Sequence, residues 1–165
     1  MYYMYGPNGN VVYINNVVYV NGEPAATAQE YYQQARTTAE AAPKLDKTAA
    51  EKVEWLPLGM FAYIPEGAEE ATCYLQLALS REGIIGGTYF NEMTDSSRPI
   101  EGSVDKDTQR ATWRFADGRN QELVMETGIY NLTKDNASTI LHFGPNKYQK
   151  GALVRLEAPE DIDIE

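Results

Sequence analysis

The C-terminal two thirds of the chain alternates apolar and polar residues in short runs that turn sequences separate. In the run RATWRF, Ala111, Trp113 and Phe115 face one way and the residues between them face the other. A period of two is typical of a β-strand with one buried face. Runs of this kind predict eight strands, at residues 55–64, 74–80, 84–91, 98–105, 110–115, 121–128, 138–143 and 150–157.

No helical pattern separates these eight strands, and their connections are short. Consecutive antiparallel strands form an up-and-down meander. Eight strands of this length can close into a small barrel that leaves no exposed edge, and the alternative is a two-sheet sandwich. Gly86 and Gly87 lie in the middle of a predicted strand, which indicates a bend or bulge where the sheet curls and favours the barrel.

The first 22 residues have a different pattern. β-branched and aromatic residues at positions 10–14 and 17–20 flank Asn15 and Asn16. Asparagine tolerates the positive φ angles of a two-residue turn, so this stretch predicts a β-hairpin. A tyrosine-rich arm precedes the hairpin.

Apolar side chains at helical spacing predict one α-helix over residues 28–41. Thr27 and Glu30 have the spacing of a capping box, and Pro43 ends the helical pattern. Most of the apolar stripe is alanine, so the helix must pack against something larger. Thr48 and Glu51 repeat the capping pattern and predict a short second helix.

Together these patterns predict a mainly β protein. An eight-stranded antiparallel meander or barrel follows an N-terminal hairpin and one α-helix. We divide the chain into a tyrosine-rich arm (residues 1–9), the hairpin plus helix (10–54), a barrel-like domain (55–157) and an acidic tail (158–165).

Several long stretches of the chain resemble one protein family. They are VVYVNGEPAATAQEYYQQA (17–35), EWLPLGMFA (54–62), YLQLALSREGIIGGTYFNEMTDSSRPIEGSVDKDTQRATWRFADG (74–118), METGIYNLTKDNA (125–137) and LVRLEAPE (153–160). The family consists of planctomycete exported proteins described as cell-surface proteins of a mu-protocadherin-like type. The resemblance implies an extracellular or cell-surface location and no catalytic activity, although the N-terminus lacks the pattern of a signal peptide.

The charge of the chain restricts its partners. The net charge is −10, and five acids lie in the last nine residues. An acidic protein repels nucleic acid and anionic lipid, so we predict neither as a partner. No apolar run approaches the roughly 20 residues of a membrane-spanning helix, so no membrane span is predicted either.

The sequence contains few of the residues that usually carry out catalysis or bind metals. It has one histidine, His142, and one cysteine, Cys73. A zinc site needs three or four ligands, and a nucleophilic serine or cysteine needs a base, so we predict no metal, no cofactor and no catalytic residue. We expect Cys73 to be a small core residue and His142 to face solvent. The acidic segments 105–107 and 161–165 carry carboxylates at alternate positions, which suits calcium, but they lack the glycine and the spacing of an EF-hand loop.

A remote enzymatic alternative is a carboxylate glycosidase. Such an enzyme needs only two carboxyl groups about 5–10 Å apart. The candidates are Glu92, Glu101 and Glu126, which lie on predicted outward strand faces or turns and are therefore expected to be solvated.

Tyrosines near the N-terminus are the candidate interface. Tyrosine gives large, rigid, amphipathic contact surface, and interfaces are enriched in it. The tyrosines either pack on their own barrel or join the arm to a neighbouring molecule, which is another copy or another cell-surface protein. The second possibility predicts a non-catalytic structural module that assembles into filaments or an envelope layer. The residues concerned are Tyr2, Tyr3, Tyr5, Tyr13 and Tyr19.

The second functional hypothesis places a small molecule or glycan in the mouth of the barrel. Trp55, Tyr89 and Trp113 are the aromatic platforms it would use. Small barrels can hold one ligand or be filled by their own side chains, so the sequence leaves this open.

Overall fold

The computed structural model describes residues 3–6, 9–41, 48, 52–71, 73–145 and 147–156. Its helix, α1, is Ala28–Glu40, and a 3₁₀ turn spans Asn131–Thr133. The strands are β1 (Val11–Ile14), β2 (Val17–Val20), β3 (Glu23–Thr27), β4 (Trp55–Pro65), β5 (Cys73–Ser80), β6 (Ile84–Asn91), β7 (Ser96–Val104), β8 (Arg110–Phe115), β9 (Val124–Gly128), β10 (Asn136–Gly144) and β11 (Lys147–Leu156).

Strands β4 to β11 form a closed antiparallel barrel. Each strand pairs with the next one along the chain, and β11 pairs with β4 to close the ring. The predicted up-and-down barrel is therefore confirmed, and the two-sheet sandwich is not the fold. Closure removes every strand edge from the barrel, which an open sheet of eight strands could not do.

Alternation along the strands fills the barrel interior. Its core includes Phe61, Leu75, Leu77, Ile85, Ile100, Trp113 and Leu153. Below this core, the 3₁₀ turn closes one end of the barrel, where Leu132 is buried among the core residues. The Arg155 guanidinium donates to the carbonyl oxygens of Leu132, at 2.5 Å, and Leu58. This end of the barrel is therefore plugged by packed side chains.

The bend that we expected at Gly86 and Gly87 is elsewhere. The registers of β5–β6 and β6–β7 run unbroken through both glycines. The irregularities lie between Pro57 and Gly59, where Gly59 has a φ of +130°, and between residues 142 and 144. Gly87 instead permits close approach, since a Cβ there would lie 1.8 Å from the carbonyl oxygen of Gln76.

The N-terminal unit is a three-stranded sheet followed by α1. The predicted hairpin is present, and Asn15 has the expected positive φ of 55°. Strand β3 was not expected, because its sequence EPAAT is poor in β-forming residues. Pairing with β2 holds it in place. The predicted second helix lies mostly outside the described residues, as do Tyr2 and the acidic tail.

Helix α1 begins with the predicted capping box, in which Thr27 and Glu30 each accept from the other's backbone. It packs on the outside of the barrel, over β7, β8 and β9. Its buried face is Ala28, Tyr31, Tyr32, Ala35 and Ala39. The small alanines bring the helix backbone close to the wall, where the Ser103 hydroxyl donates to the carbonyl of Thr38. In the part of the chain described, no helix is long and apolar enough to cross a membrane.

Candidate functional site

The end of the barrel opposite the 3₁₀ turn contains a cavity of about 250 Å³. It lies where β4, β6, β8 and β10 end and their neighbours begin. Apolar and aromatic side chains dominate its wall, as is common in small-molecule sites. The lining includes Tyr63, Leu75, Tyr89, Ile100, Trp113, Phe115, Leu123, Met125 and Leu141.

One side of the cavity rim is an ordered aromatic and ionic stack. The rings of Tyr89 and Phe115 meet edge to face with centroids 5.0 Å apart. The Arg98 guanidinium lies 3.5 Å from the centre of the Phe115 ring and donates to Asp117 at 2.8 Å. The hydrogen bond from Arg98 holds the pKa of the Asp117 carboxyl below its usual range. Because Arg98 is already paired, the rim does not present a free cation.

The polar groups of the wall are few, and most are satisfied within the chain. Tyr63 donates to Gln149 Oε1 at 3.0 Å, and the Tyr89 hydroxyl lies 3.2 Å from Cys73 Sγ. Trp113 differs: it is 3 % exposed, and its indole Nε1–H has no hydrogen-bond partner among the described residues. A buried donor without an acceptor is costly, so an acceptor brought in by a ligand would be favourable there.

Two of the three residues predicted as ligand platforms, Tyr89 and Trp113, line the cavity. Trp55 does not: its ring lies against Gly86 on the outer surface of the barrel. Tyr63 and Leu141 also line the cavity and were not predicted, although both face inward at the same end. The strand register is what shows that Tyr63 and Leu141 are neighbours, because alternate strands end at the same mouth of the barrel.

A second cluster lies outside the barrel, between its wall and the N-terminal unit. Arg110 on β8 donates through Nε and Nη2 to both carboxylate oxygens of Glu126 on β9, at 3.0 and 3.1 Å. His142 on β10 lies 2.5 Å from Glu126, and the Tyr5 hydroxyl also donates to Glu126 and lies against that of Tyr31. The cluster therefore joins three barrel strands to the arm and to α1.

The Arg110 guanidinium donates four hydrogen bonds to its neighbours. Besides Glu126, it donates to Gln34 Oε1 at 2.7 Å and to the carbonyl of Tyr31 at 3.1 Å. Its guanidinium carbon lies 3.7 Å from the centre of the Tyr31 ring. The three titratable side chains at the centre of the cluster are buried: Arg110 is 4 %, Glu126 0 % and His142 2 % exposed.

Burial and charge act in opposite directions on Glu126. Burial by itself would raise the pKa of its carboxyl, but the Arg110 charge and the hydrogen bonds from His142 and Tyr5 outweigh it. The pKa of Glu126 is therefore lowered, and the carboxylate is ionised in the folded protein. Burial and the nearby Glu126 charge raise the pKa values of Tyr5 and Tyr31.

These tyrosines make a testable prediction in alkali. Burial raises the pKa of Tyr63 to about 12, and it also raises the pKa values of Tyr5, Tyr13 and Tyr31. Since the unfolded pKa is about 10, these groups stabilise the fold fully below that pH and progressively less above it. Near pH 11, about one unit above that value, phenolate absorbance should show about three to four fewer ionised tyrosines than the same chain in urea. Tyr63→Phe should leave the folded amplitude unchanged; a drop would contradict the burial.

The expectation that His142 faces solvent is wrong. The side chains of His142 and Glu126 do point away from the barrel interior, as strand alternation requires. However, the wall formed by β8, β9 and β10 is covered by α1 and the arm, so both are buried. Neither burial nor the approach of Arg110 could be inferred from the local sequence of β9 or β10.

The three candidate carboxylates do not form a shared site. Glu126 is enclosed in the cluster, and Glu101 is 9 % exposed and pairs with Arg114 at 3.0 Å. Glu92 is exposed and accepts from the Tyr74 hydroxyl at 3.2 Å. Glu101 and Glu126 were expected to be solvated, and their burial is a correction. Glu126 has no surface through which a substrate could reach it.

The tyrosines predicted as an interface are largely used within the chain. Tyr5 is 6 % exposed, and the rings of Tyr3 and Tyr13 pack on that of Tyr31, at centroid distances of 6.1 and 5.7 Å. Tyr19 lies half-buried on β2. In this conformation Tyr5 offers no contact surface to another molecule, and an intermolecular role of the others stays a prediction.

Within the described ranges, no group of three or more His, Cys, Asp or Glu side chains is arranged to hold a metal ion. The Asp105 carboxylate accepts from the backbone of Asp107 and Thr108, at 2.9 and 3.1 Å, and so stabilises its own turn.

No protein-family model, no curated protein and no solved structure matches this chain. The resemblance to planctomycete cell-surface proteins therefore stays a prediction.

Proposed function

We propose that this protein is a non-catalytic binding protein that holds one small, mainly apolar molecule in the mouth of its barrel. The observation that carries this proposal is the cavity of about 250 Å³, with its wall of aromatic and aliphatic side chains. Side chains plug the other end, so a ligand would enter and leave by the open mouth. Burial of apolar ligand surface would supply most of the affinity.

The size and polarity of the cavity restrict the ligand. An apolar cavity of about 150 Å³ accepts benzene, so a cavity of this size suits one or two fused rings. Trp113 Nε1–H favours a ligand with one hydrogen-bond acceptor. Arg98 is committed to Asp117, which favours a neutral ligand over an anion.

The absence of a catalytic role is part of the proposal. Glu126 and His142 form the pair that would most resemble an acid–base couple, and both are buried under α1 and the arm. Their partners hold them in place and leave no room for a substrate. The resemblance to exported proteins supports a location at the cell surface, and there the module would act by binding.

We expect binding of 2-naphthol to the protein, measured by titration calorimetry and by quenching of Trp113 fluorescence. Trp55→Phe removes the only other tryptophan and leaves the cavity intact. Leu141→Phe fills the cavity and should weaken binding at least about tenfold, which corresponds to about 1.4 kcal/mol. The matched control is Leu56→Phe, because Leu56 is 62 % exposed and does not line the cavity; this variant should bind like the wild type.

Two results would contradict the proposal. One is a failure of 2-naphthol, naphthalene and indole to bind or to raise the unfolding midpoint at millimolar concentration. The other is equal binding by Leu141→Phe and the wild type, which would place the ligand outside the cavity.

A further inference from the structure

The three-stranded N-terminal sheet has two edge strands, β1 and β3. Natural sheets protect an edge with charged residues, proline or a bulge, because its unpaired backbone groups are a template for another strand. Strand β3 has all three: it begins with Glu23 and Pro24, and a register shift interrupts its pairing with β2. Strand β1 has the sequence VVYI and pairs with β2 without a shift, so its edge has none of these protections.

The ladder shows which backbone groups lie at the free edge of β1. The N–H of Asn21 donates to the carbonyl oxygen of Asn10, at 3.0 Å. Antiparallel strands alternate between bonded and non-bonded pairs, so residues 12 and 14 bond to β2 as Asn10 does. Val11 and Tyr13 therefore direct their N–H and C=O groups away from β2. No backbone hydrogen bond within the described ranges uses these groups, so the edge offers two donors and two acceptors.

A groove of about 600 Å³ follows this edge, between the N-terminal sheet and the barrel. Val11, Val12 and Tyr13 all line it. Because neighbouring residues of a strand point to opposite faces, a groove that three consecutive residues line must lie along the edge of the strand. Its floor includes the cross-strand neighbours Ala152 and Ile64, which face outward from the barrel and are half-buried. The groove thus combines an apolar floor with a wall of backbone groups.

One end of the groove is acidic. It ends at the β4–β5 loop, where the N–H of Glu66 donates to the carbonyl oxygen of Lys150 at 2.9 Å. Among the residues described, Lys150 is the only basic one that lines the groove. The loop presents three exposed carboxylates, which belong to Glu66, Glu69 and Glu70. The negative charge of the loop exceeds the charge of Lys150, and in a chain of net charge −10 this end attracts a basic group.

We propose that this groove binds an extended segment of another polypeptide, which adds to β1 as a fourth strand. Unpaired donors and acceptors at strand spacing favour a peptide backbone, because a peptide presents both kinds of group at the same spacing. The segment has apolar side chains at alternate positions, which cover Ala152 and Ile64, and a basic residue at the end that reaches the β4–β5 loop. The groove and the cavity in the barrel mouth share no lining residue, so peptide binding does not require the small molecule.

The first test uses the acetylated and amidated peptide TVTVTVKK, which alternates polar and apolar residues and is basic at one end. The edge is short and forms few hydrogen bonds, so we expect a dissociation constant of about 0.1 mM by titration calorimetry. The matched control TVTVTVEE should bind at least about tenfold more weakly, because the glutamates of the loop repel it. No binding of TVTVTVKK at about 1 mM, or equal binding of the two peptides, would overturn the proposal.

Methylation of the peptide nitrogens tests the backbone pairing without altering the protein. One version of TVTVTVKK is N-methylated at its valines and the other at its threonines. Alternate residues of a strand direct their N–H groups to opposite edges, so only one version loses the bonds to β1. With the valines on the floor, loss in the valine version indicates an antiparallel strand and loss in the threonine version a parallel one. Equal affinities of the two versions would show that the peptide backbone does not pair with β1.

A pair of variants tests the same edge from the side of the protein. Val11→Pro removes one outward N–H at the first residue of β1, a position where a strand tolerates proline. It should weaken binding of TVTVTVKK at least about fivefold. Val11→Ala shortens the side chain but keeps the N–H, so it should bind within about twofold of the wild type. Circular dichroism and the unfolding midpoint check that both variants fold, and equal affinities of the two folded variants would overturn the proposal.

Discussion

Glu126→Gln is expected to lower the free energy of unfolding by about 3–5 kcal/mol, because it leaves a buried guanidinium without its counter-charge. Arg110 donates two hydrogen bonds to Glu126, and both side chains are almost completely buried. Glutamine keeps the shape of the side chain and one acceptor oxygen, but its amide nitrogen cannot accept from Arg110, so the loss combines the missing charge with one missing hydrogen bond. Urea unfolding monitored by circular dichroism measures the change.

The control for this prediction is an exposed ion pair in the same protein. Glu54 lies 3.2 Å from Arg81, and the two side chains are 76 % and 81 % exposed. Glu54→Gln should change stability by less than about 1 kcal/mol, because water screens such pairs. If Glu126→Gln were equally mild, the cluster would not hold the N-terminal unit on the barrel in the way the geometry indicates.

A double variant separates the loss of the favourable Arg110–Glu126 ion pair from the cost of leaving one buried charge unpaired. Arg110→Met combined with Glu126→Gln removes both charges, so neither is left buried and unpaired. Its stability should exceed that of Glu126→Gln alone, since breaking a buried pair costs more than replacing it. Additive losses in the two single variants would show that Arg110 and Glu126 act independently.

Gly87→Ala is expected to prevent the barrel from closing, with a loss of at least about 3 kcal/mol or no folded protein. A Cβ at this position would lie 1.8 Å from the backbone oxygen of Gln76, so β5 and β6 would have to separate. An open sheet could relieve the contact by moving an edge strand. A closed barrel has no edge, and the displacement must pass to other strand pairs.

The neighbouring glycine is a matched control. Gly86→Ala adds the same methyl group one residue away, on the outer surface. There it would meet the Trp55 ring at 3.1 Å, and a side chain at the surface can move. We expect its stability to stay within about 1 kcal/mol of the wild type. Alanine lowers the conformational entropy of the unfolded chain relative to glycine, and this stabilisation offsets the close contact with Trp55. Equal stability of the two variants in thermal and urea unfolding would contradict the close approach at Gly87.

Much of the barrel could be predicted from local patterns. Residues 84–91 and 110–115 were predicted with the strand bounds that the structure shows. The inward and outward assignment of Trp113 was also correct. Strand alternation succeeds here because apolar side chains fill the barrel interior, and one apolar face is then required on every strand.

The candidate sites were only partly predictable. Tyr89 and Trp113 were proposed for the mouth of the barrel, where the structure places them. Trp55 was proposed with them, but the irregularity between Pro57 and Gly59 interrupts the register of β4 and leaves Trp55 on the outer surface. A register shift of this kind changes which face a side chain occupies, and a turn-and-strand pattern does not reveal it.

The sequence by itself determined the eight barrel strands, the capped helix, the hairpin and the sidedness of most barrel strands, because these depend on spacing and on local backbone preference. Only the tertiary structure decided which outward-facing wall is covered. Docking of α1 and the arm buries Arg110, Glu126 and His142, while outward side chains such as Met60 and Leu156 stay exposed. The physical reason is that a period of two distinguishes the inside of a barrel from its outside. Whether the outside meets water or another element depends on contacts between residues more than 70 positions apart, such as Arg110 with Gln34.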